Sequence, residues 1–215
     1  MPEHEWFRRV TWTAEDAADF FAHLARARSH KRAQYLRIQA LHLQQCHGEA
    51  TDSAALELLD ILVREYPDQV ELQGAYCQRA ECLEALSRVG EAEEAWREAI
   101  RAKRALPNVD CHVHIKFGLF VLRHDMERCY EEAVEVLEEF TDTMPMPVLI
   151  YEYSLAKALL LKRVGRIGEA KLSARSALAA VTRTESDFRH HRSIGTVTQT
   201  EPGLHEELEE LALRP

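Results

Sequence analysis

The chain predicts an all-α fold, on three observations. Apolar residues recur at helical spacing from residue 13 to residue 181, glycines and prolines interrupt that spacing where helix-to-helix turns would fall, and strand-like alternation is almost absent. The one β-rich stretch, Thr196-Val197-Thr198, is short and isolated.

A first helix opens at Thr13, with Asp16 three residues on as a variant capping box. Its apolar stripe is Ala17, Phe20, Phe21 and Leu24, one face of a helix. A second covers roughly residues 31–46 and stops at His47-Gly48, since glycine is the usual helix terminator. A third starts near Asp52, carries Ala55, Leu58, Leu59, Leu62 and Tyr66, and ends before Pro67. Residues 69–88 and 91–105 follow as a pair, with Gly90 between and Pro107 after. Residues 112–124 and 130–141 form the next pair, with Pro145 after, and residues 148–163 and 167–181 the last, with Gly165 between. Residues 183–202 read as a loop and 203–213 as a short terminal helix.

The pairs repeat. Ala55, Ala95 and Ala133 are each followed twelve residues later by a proline, Pro67, Pro107 and Pro145; a fourth unit keeps Gly165 and Ala170 but lacks the proline. The small residue belongs where two helices approach closely, and the glycines supply the left-handed backbone of a tight turn. The segment from Ala85 through Leu86, Ser87, Arg88, Val89, Gly90 and Glu91 to Ala95 closely resembles the tetratricopeptide signature. So do the segment from Leu160 to Ala170 and the run Cys129-Tyr130-Glu131-Glu132-Ala133. The resemblance covers about residues 31–182, on a repeat of about 34–40 residues. It implies a right-handed solenoid of about four helical hairpins, between an N-terminal capping segment and helix in 1–30 and a loop and C-terminal helix in 183–215. The chain departs from the family pattern at Arg79, Cys82 and Leu83, at Phe117, Phe120 and Val121, and at Lys157, where leucine is expected.

Composition fits an ordinary filled core, with 46% hydrophobic and 29% charged residues. No apolar run is long enough to span a bilayer, and the N-terminus lacks the features of a signal peptide, so the expected compartment is the cytoplasm. The five cysteines are odd in number and show no CxxC pair, so we expect small buried hydrophobes and no disulfides. The net charge of −9 is uneven: residues 51–145 hold 10 Lys/Arg against 21 Asp/Glu, whereas 1–50 and 146–215 each come to +1. An acidic field repels nucleic acid and anionic membranes and attracts basic surfaces.

No nucleophile–base set, phosphate loop or carboxylate–histidine metal motif is visible, so no enzyme, metal or cofactor is expected. Cys111-His112-Val113-His114 could ligate a metal only from a loop or strand, because alternate residues on a helix do not share a face. His190-His191, between Arg189 and Arg192, reads as a basic loop. Trp6, Phe7 and Trp12 are either an end cover or an anchor for a partner. The glutamates from Glu91 to Glu94 and from Glu131 to Glu139 read as a solvated face.

In tetratricopeptide proteins the first helix of each hairpin lines a concave groove. The resemblance therefore implies a partner-binding groove at Glu84, Arg88, Ile115, Gly118, Leu122, Asp125, Met126, Leu155 and Leu159. The expected function is that of an adaptor or scaffold holding a protein with a basic surface, with Ile115 and Leu122 as apolar anchor. An immunity protein neutralising a basic bacterial toxin and a secretion-type chaperone are the alternatives. Monomer and homodimer both remain open. The rival for the groove is the chain's own C-terminal helix, whose Leu204, Leu208 and Leu211 share one face.

Overall fold

A computed structural model describes residues 5–141, 144, 146–188 and 192–213. Among them lie ten α-helices and no strand. The helices are α1 (Ala14–Arg26), α2 (Ser29–Gln44), α3 (Glu49–Glu65), α4 (Gln69–Ala85), α5 (Val89–Ala105), α6 (Val113–Arg123), α7 (Tyr130–Glu139), α8 (Pro147–Arg163), α9 (Ile167–Val181) and α10 (Pro202–Leu213). None is long and apolar enough to cross a membrane.

Local chemistry explains the helix starts. The Thr13 hydroxyl accepts the Asp16 N–H at 3.1 Å, and the Asp16 carboxylate accepts the Thr13 N–H at 3.0 Å, so two orphan donors are satisfied reciprocally. That backbone bond is the main reason the Asp16 carboxyl is held down to about 2. Asp68 caps α4 by accepting the Val70 N–H at 2.9 Å.

The turns inside successive helix pairs share a backbone device. Ser87 (φ 59°), Asp125 (φ 48°) and Gly165 (φ 80°) are left-handed. In each, the next N–H reaches the carbonyl five residues back: Arg88 to Leu83 at 2.8 Å, Met126 to Val121 at 3.0 Å, and Arg166 to Leu161 at 2.9 Å. This closure satisfies carbonyls at a helix end. His47, also left-handed at φ 51°, stands in the turn before α3. Gly165 thus does what the sequence leads one to expect. Gly90 does not: it lies inside α5, and Ser87 makes the left-handed turn instead.

The chain forms two compact units, residues 1–113 and 114–215. In the first, α2 packs on α3 and α4, α3 on α4, and α4 on α5. Its core includes Phe20, Leu36, Leu43, Leu58, Leu59, Leu62, Leu83 and Trp96, with Ala55 and Ala95 fully buried between helices. In the second, α7 packs on α8, α8 on α9, and α10 on both α8 and α9. Its core includes Ile115, Phe117, Phe120, Leu137 and Leu159, with Ala133 and Ala170 fully buried. A Cβ placed on Gly118 would lie 3.3 Å from the Ala156 Cβ and 3.4 Å from Leu137 Cδ1 and Leu160 Cδ1, so α6 approaches α7 and α8 closely there.

This division differs from the expected cap at 1–30, array over 31–182 and tail at 183–215. The end segments share the cores of their neighbours. The Arg9 N–H donates to Gln39 Oε1 at 2.9 Å and Gln39 Nε2 donates to the Arg9 carbonyl at 2.8 Å, while Trp6 and Phe7 lie against Tyr35 with ring centroids 4.9 and 4.6 Å away. At the other end, Leu208 and Leu211 of α10 are buried.

Candidate partner-binding site

Glu84 and Arg88 belong to the first unit; Ile115, Gly118, Leu122, Asp125, Met126, Leu155 and Leu159 belong to the second. Glu84 is half-buried in the last turn of α4, and Arg88 is exposed, its guanidinium donating to Glu91 at 2.6 and 2.7 Å. Asp125 is exposed in the turn after α6. The apolar members are different. Ile115 and Leu159 are 0% exposed, Leu155 2%, Leu122 and Met126 6%, and Gly118 is buried at its three-helix contact.

The expected apolar anchor at Ile115 and Leu122 is thus corrected: these side chains are core. The physical reason lies in α6, Val-His-Ile-Lys-Phe-Gly-Leu-Phe-Val-Leu-Arg, which is apolar nearly all round. A helix of that kind is buried on most sides and leaves no apolar stripe for a partner. That pattern was the signal in the sequence that could have assigned these residues to the core.

The chain's own C-terminal segment covers part of the α6–α8 surface. Leu119, Tyr151, Glu152 and Leu155 face Gln199, Thr200 and Glu201 across a cavity of about 160 Å³. Arg123 of α6 donates to Glu201 at 3.1 Å, and the Tyr151 hydroxyl meets His205 Nδ1 at 3.1 Å. Desolvation and the nearby carboxylates of Glu201, Glu152 and Glu209 push the Tyr151 phenol up to about 12.

What remains open near the expected site is polar. A cavity of about 680 Å³ is lined by Asp125, Glu127, Tyr130, Glu131, Arg163 and Val164. The Tyr130 hydroxyl donates to Asp125, and Arg163 hydrogen-bonds Tyr130 as well as Glu207. Burial first, and then the bond to Asp125, raise the Tyr130 phenol. Three carboxylates therefore surround a basin whose one guanidinium is already engaged by Glu207. Of the three carboxylates, the sequence assigns Asp125 to the groove and Glu131 to a solvated face, and nothing in it singles out Glu127. In the first unit a second cavity, of about 490 Å³, lies beside the turns at His47 and Ser87, with Glu49 and Asp52 on its wall. Burial raises the Asp52 carboxyl.

The other singled-out groups do not gather. His112 lies 3.4 Å from Asp110, while His114 is fully buried with its ring 6.0 Å from Phe140 and 6.1 Å from Tyr153. Among the described residues no three His, Cys, Asp or Glu side chains are grouped to hold a metal. His190-His191, Arg189 and Pro145 lie outside the described residues. Glu93, expected on the solvated face, is 5% exposed and accepts from Arg97 at 2.5 Å.

No family model matches the chain, and no curated protein does. Among solved structures the chain is similar to the crystal structure of BtubC (BKLC) from P. vanneervenii, at 14% identity and a TM-score of 0.53, over 99% of this chain and 82% of that one. The likeness is one of fold alone.

Proposed function

We propose that the chain is a protein-interaction module, an adaptor or scaffold of the tetratricopeptide kind, and that its partner presents a basic surface. About four hairpins stacked as a right-handed solenoid would account for the recurring turns at His47, Ser87, Asp125 and Gly165 and for the buried alanines at matching places. The observation that carries the functional reading is the basin at Asp125, Glu127 and Glu131. It is roomy enough for a lysine or arginine side chain, and its three carboxylates belong to the acidic stretch 51–145, whose field attracts a basic surface. The apolar groove is not part of this reading, because its residues are buried.

The test uses the full chain. The partner is captured from native lysate, identified by mass spectrometry and purified, and its binding kinetics are then followed. With Glu127→Lys and Glu131→Lys together, association should slow by about tenfold and lose most of its dependence on salt, because steering by complementary charge acts on the encounter. A captured partner with an acidic contact surface, or an unchanged association rate, would overturn the reading.

A further inference from the structure

The helix α10 is acidic and amphipathic, and it sits on a surface built to take it. Its run Leu204-His205-Glu206-Glu207-Leu208-Glu209-Glu210-Leu211 places Leu204, Glu207, Leu208 and Leu211 on one side, at i, i+3, i+4 and i+7. Leu208 and Leu211 are 0% and 3% exposed where α10 meets α8 and α9. Glu207 accepts from Lys162 at 2.6 Å and from Arg163 at 2.9 Å, in the last turn of α8. Those two donors, Arg163 first, hold the Glu207 carboxyl below its ordinary range. The receptor thus has two apolar sockets and a basic clamp, a pairing that reads the sequence Glu-Leu-x-x-Leu.

The attachment is also shallow for a helix of 12 residues. Leu204 is only half-buried, Glu206, Glu209 and Glu210 face outward, and Leu213 is 82% exposed. Beside it lies the cavity of about 160 Å³ under residues 199–201. The connection from Thr182 to Glu201 holds no helix among its described residues, and the Gly195 carbonyl within it accepts the Val148 N–H at 2.8 Å at the start of α8. A helix tethered in cis competes with other chains through its own contacts multiplied by its effective concentration at the site.

We propose that the α8–α9 surface with Lys162 and Arg163 is a docking site for an acidic amphipathic helix of another protein, and that α10 is its resident occupant in cis, displaced when that helix binds. The incoming helix carries the same register, two leucine-like side chains in the Leu208 and Leu211 sockets and a carboxylate on the clamp. This is helix-in-groove recognition with the chain's own segment as template. It does not require the basic-partner reading, because the charges are of opposite sign and only Arg163 is common to both sites.

The experiment uses the full chain and a fluorescein-labelled peptide of residues 202–213. Leu208→Asp with Leu211→Asp should free the site from its own helix, and the peptide should then bind at least tenfold more tightly than it binds the parent. Adding Lys162→Glu and Arg163→Glu to that variant should abolish binding, as should Glu207→Lys in the peptide. The milder full-chain variant Glu207→Lys, which keeps both leucines, should show an intermediate gain. In the parent, amide hydrogens of residues 202–213 should exchange at least tenfold faster than those of α8. Peptide binding no tighter to the folded double-leucine or Glu207→Lys variant than to the parent would overturn the proposal. So would α10 amides protected as long as those of α8, or failure of the double-leucine variant to fold, since α10 would then be permanent core.

Discussion

At the scale of single residues, the turns show how one backbone requirement is met by different side chains. The left-handed position is held by Ser87, Asp125 and Gly165 in turn, and by His47 before α3. Only glycine meets it without steric cost; aspartate tolerates it, and serine does so least readily. The sequence reading therefore finds Gly165 and misses Ser87, since Gly90 is the more obvious punctuation. A pair of substitutions separates the two glycines. A Cβ would touch nothing within 4 Å at either Gly90 or Gly165, so packing drops out of the comparison. Gly165→Ala must place a side chain at φ 80°, and it should cost about 1–2 kcal/mol. Gly90→Ala lies in the first turn of α5, and it should stabilise by up to about 1 kcal/mol. Urea denaturation midpoints check both signs. A loss at Gly90 would mean that it, not Ser87, bears the turn.

At the scale of elements, the helices are legible and their burial is not. The Thr13–Asp16 pair, the glycines and the prolines mark ends that agree with the structure within a few residues, because capping and turn chemistry are local. Which face an element buries depends on neighbours far away in sequence. α6 shows this most plainly. As the first helix of a pair it reads as groove-lining, yet Ile115, Phe117, Phe120 and Val121 are all fully buried. α10 is similar: its leucine stripe fixes that it packs, but not that α8 and α9 receive it. Gly118 is where α6 comes nearest its neighbours, with the rigid Ala156 Cβ the closest obstacle at 3.3 Å. Helix propensity alone would favour replacing this glycine by alanine, and crowding opposes it. With Gly118→Val the crowding wins outright, and the variant should lose about 1–3 kcal/mol by overpacking. Thermal unfolding at the parent's midpoint would show that the three helices separate more easily than this packing implies.

At the scale of the whole molecule, charge and burial assign different jobs to residues that the sequence groups together. The acidic stretch 51–145 carries 21 Asp/Glu, and its field extends about a Debye length, ~8–10 Å, into solvent. Exposed members such as Glu131 can feel a partner before contact, whereas Leu122, at 6% exposure, cannot touch one without opening the fold. Leu122→Arg therefore separates the groove expected from the sequence from the core seen in the structure. If Leu122 lined an open groove, arginine there would leave stability unchanged and speed dissociation of the partner. As core, it must bring a guanidinium into an apolar interior, which costs more than about 3 kcal/mol when no counter-charge is at hand. Against a total stability of about 5–15 kcal/mol, that is a large fraction of what holds a domain together. We expect a markedly lowered melting temperature for Leu122→Arg. For Glu131→Lys we expect stability within about 0.5 kcal/mol of the parent, as for a surface change, together with slower partner association. Calorimetry on the two variants beside the parent reads both terms. A Leu122→Arg protein that melts with the parent but releases its partner faster would return Leu122 to the binding surface and restore the apolar groove.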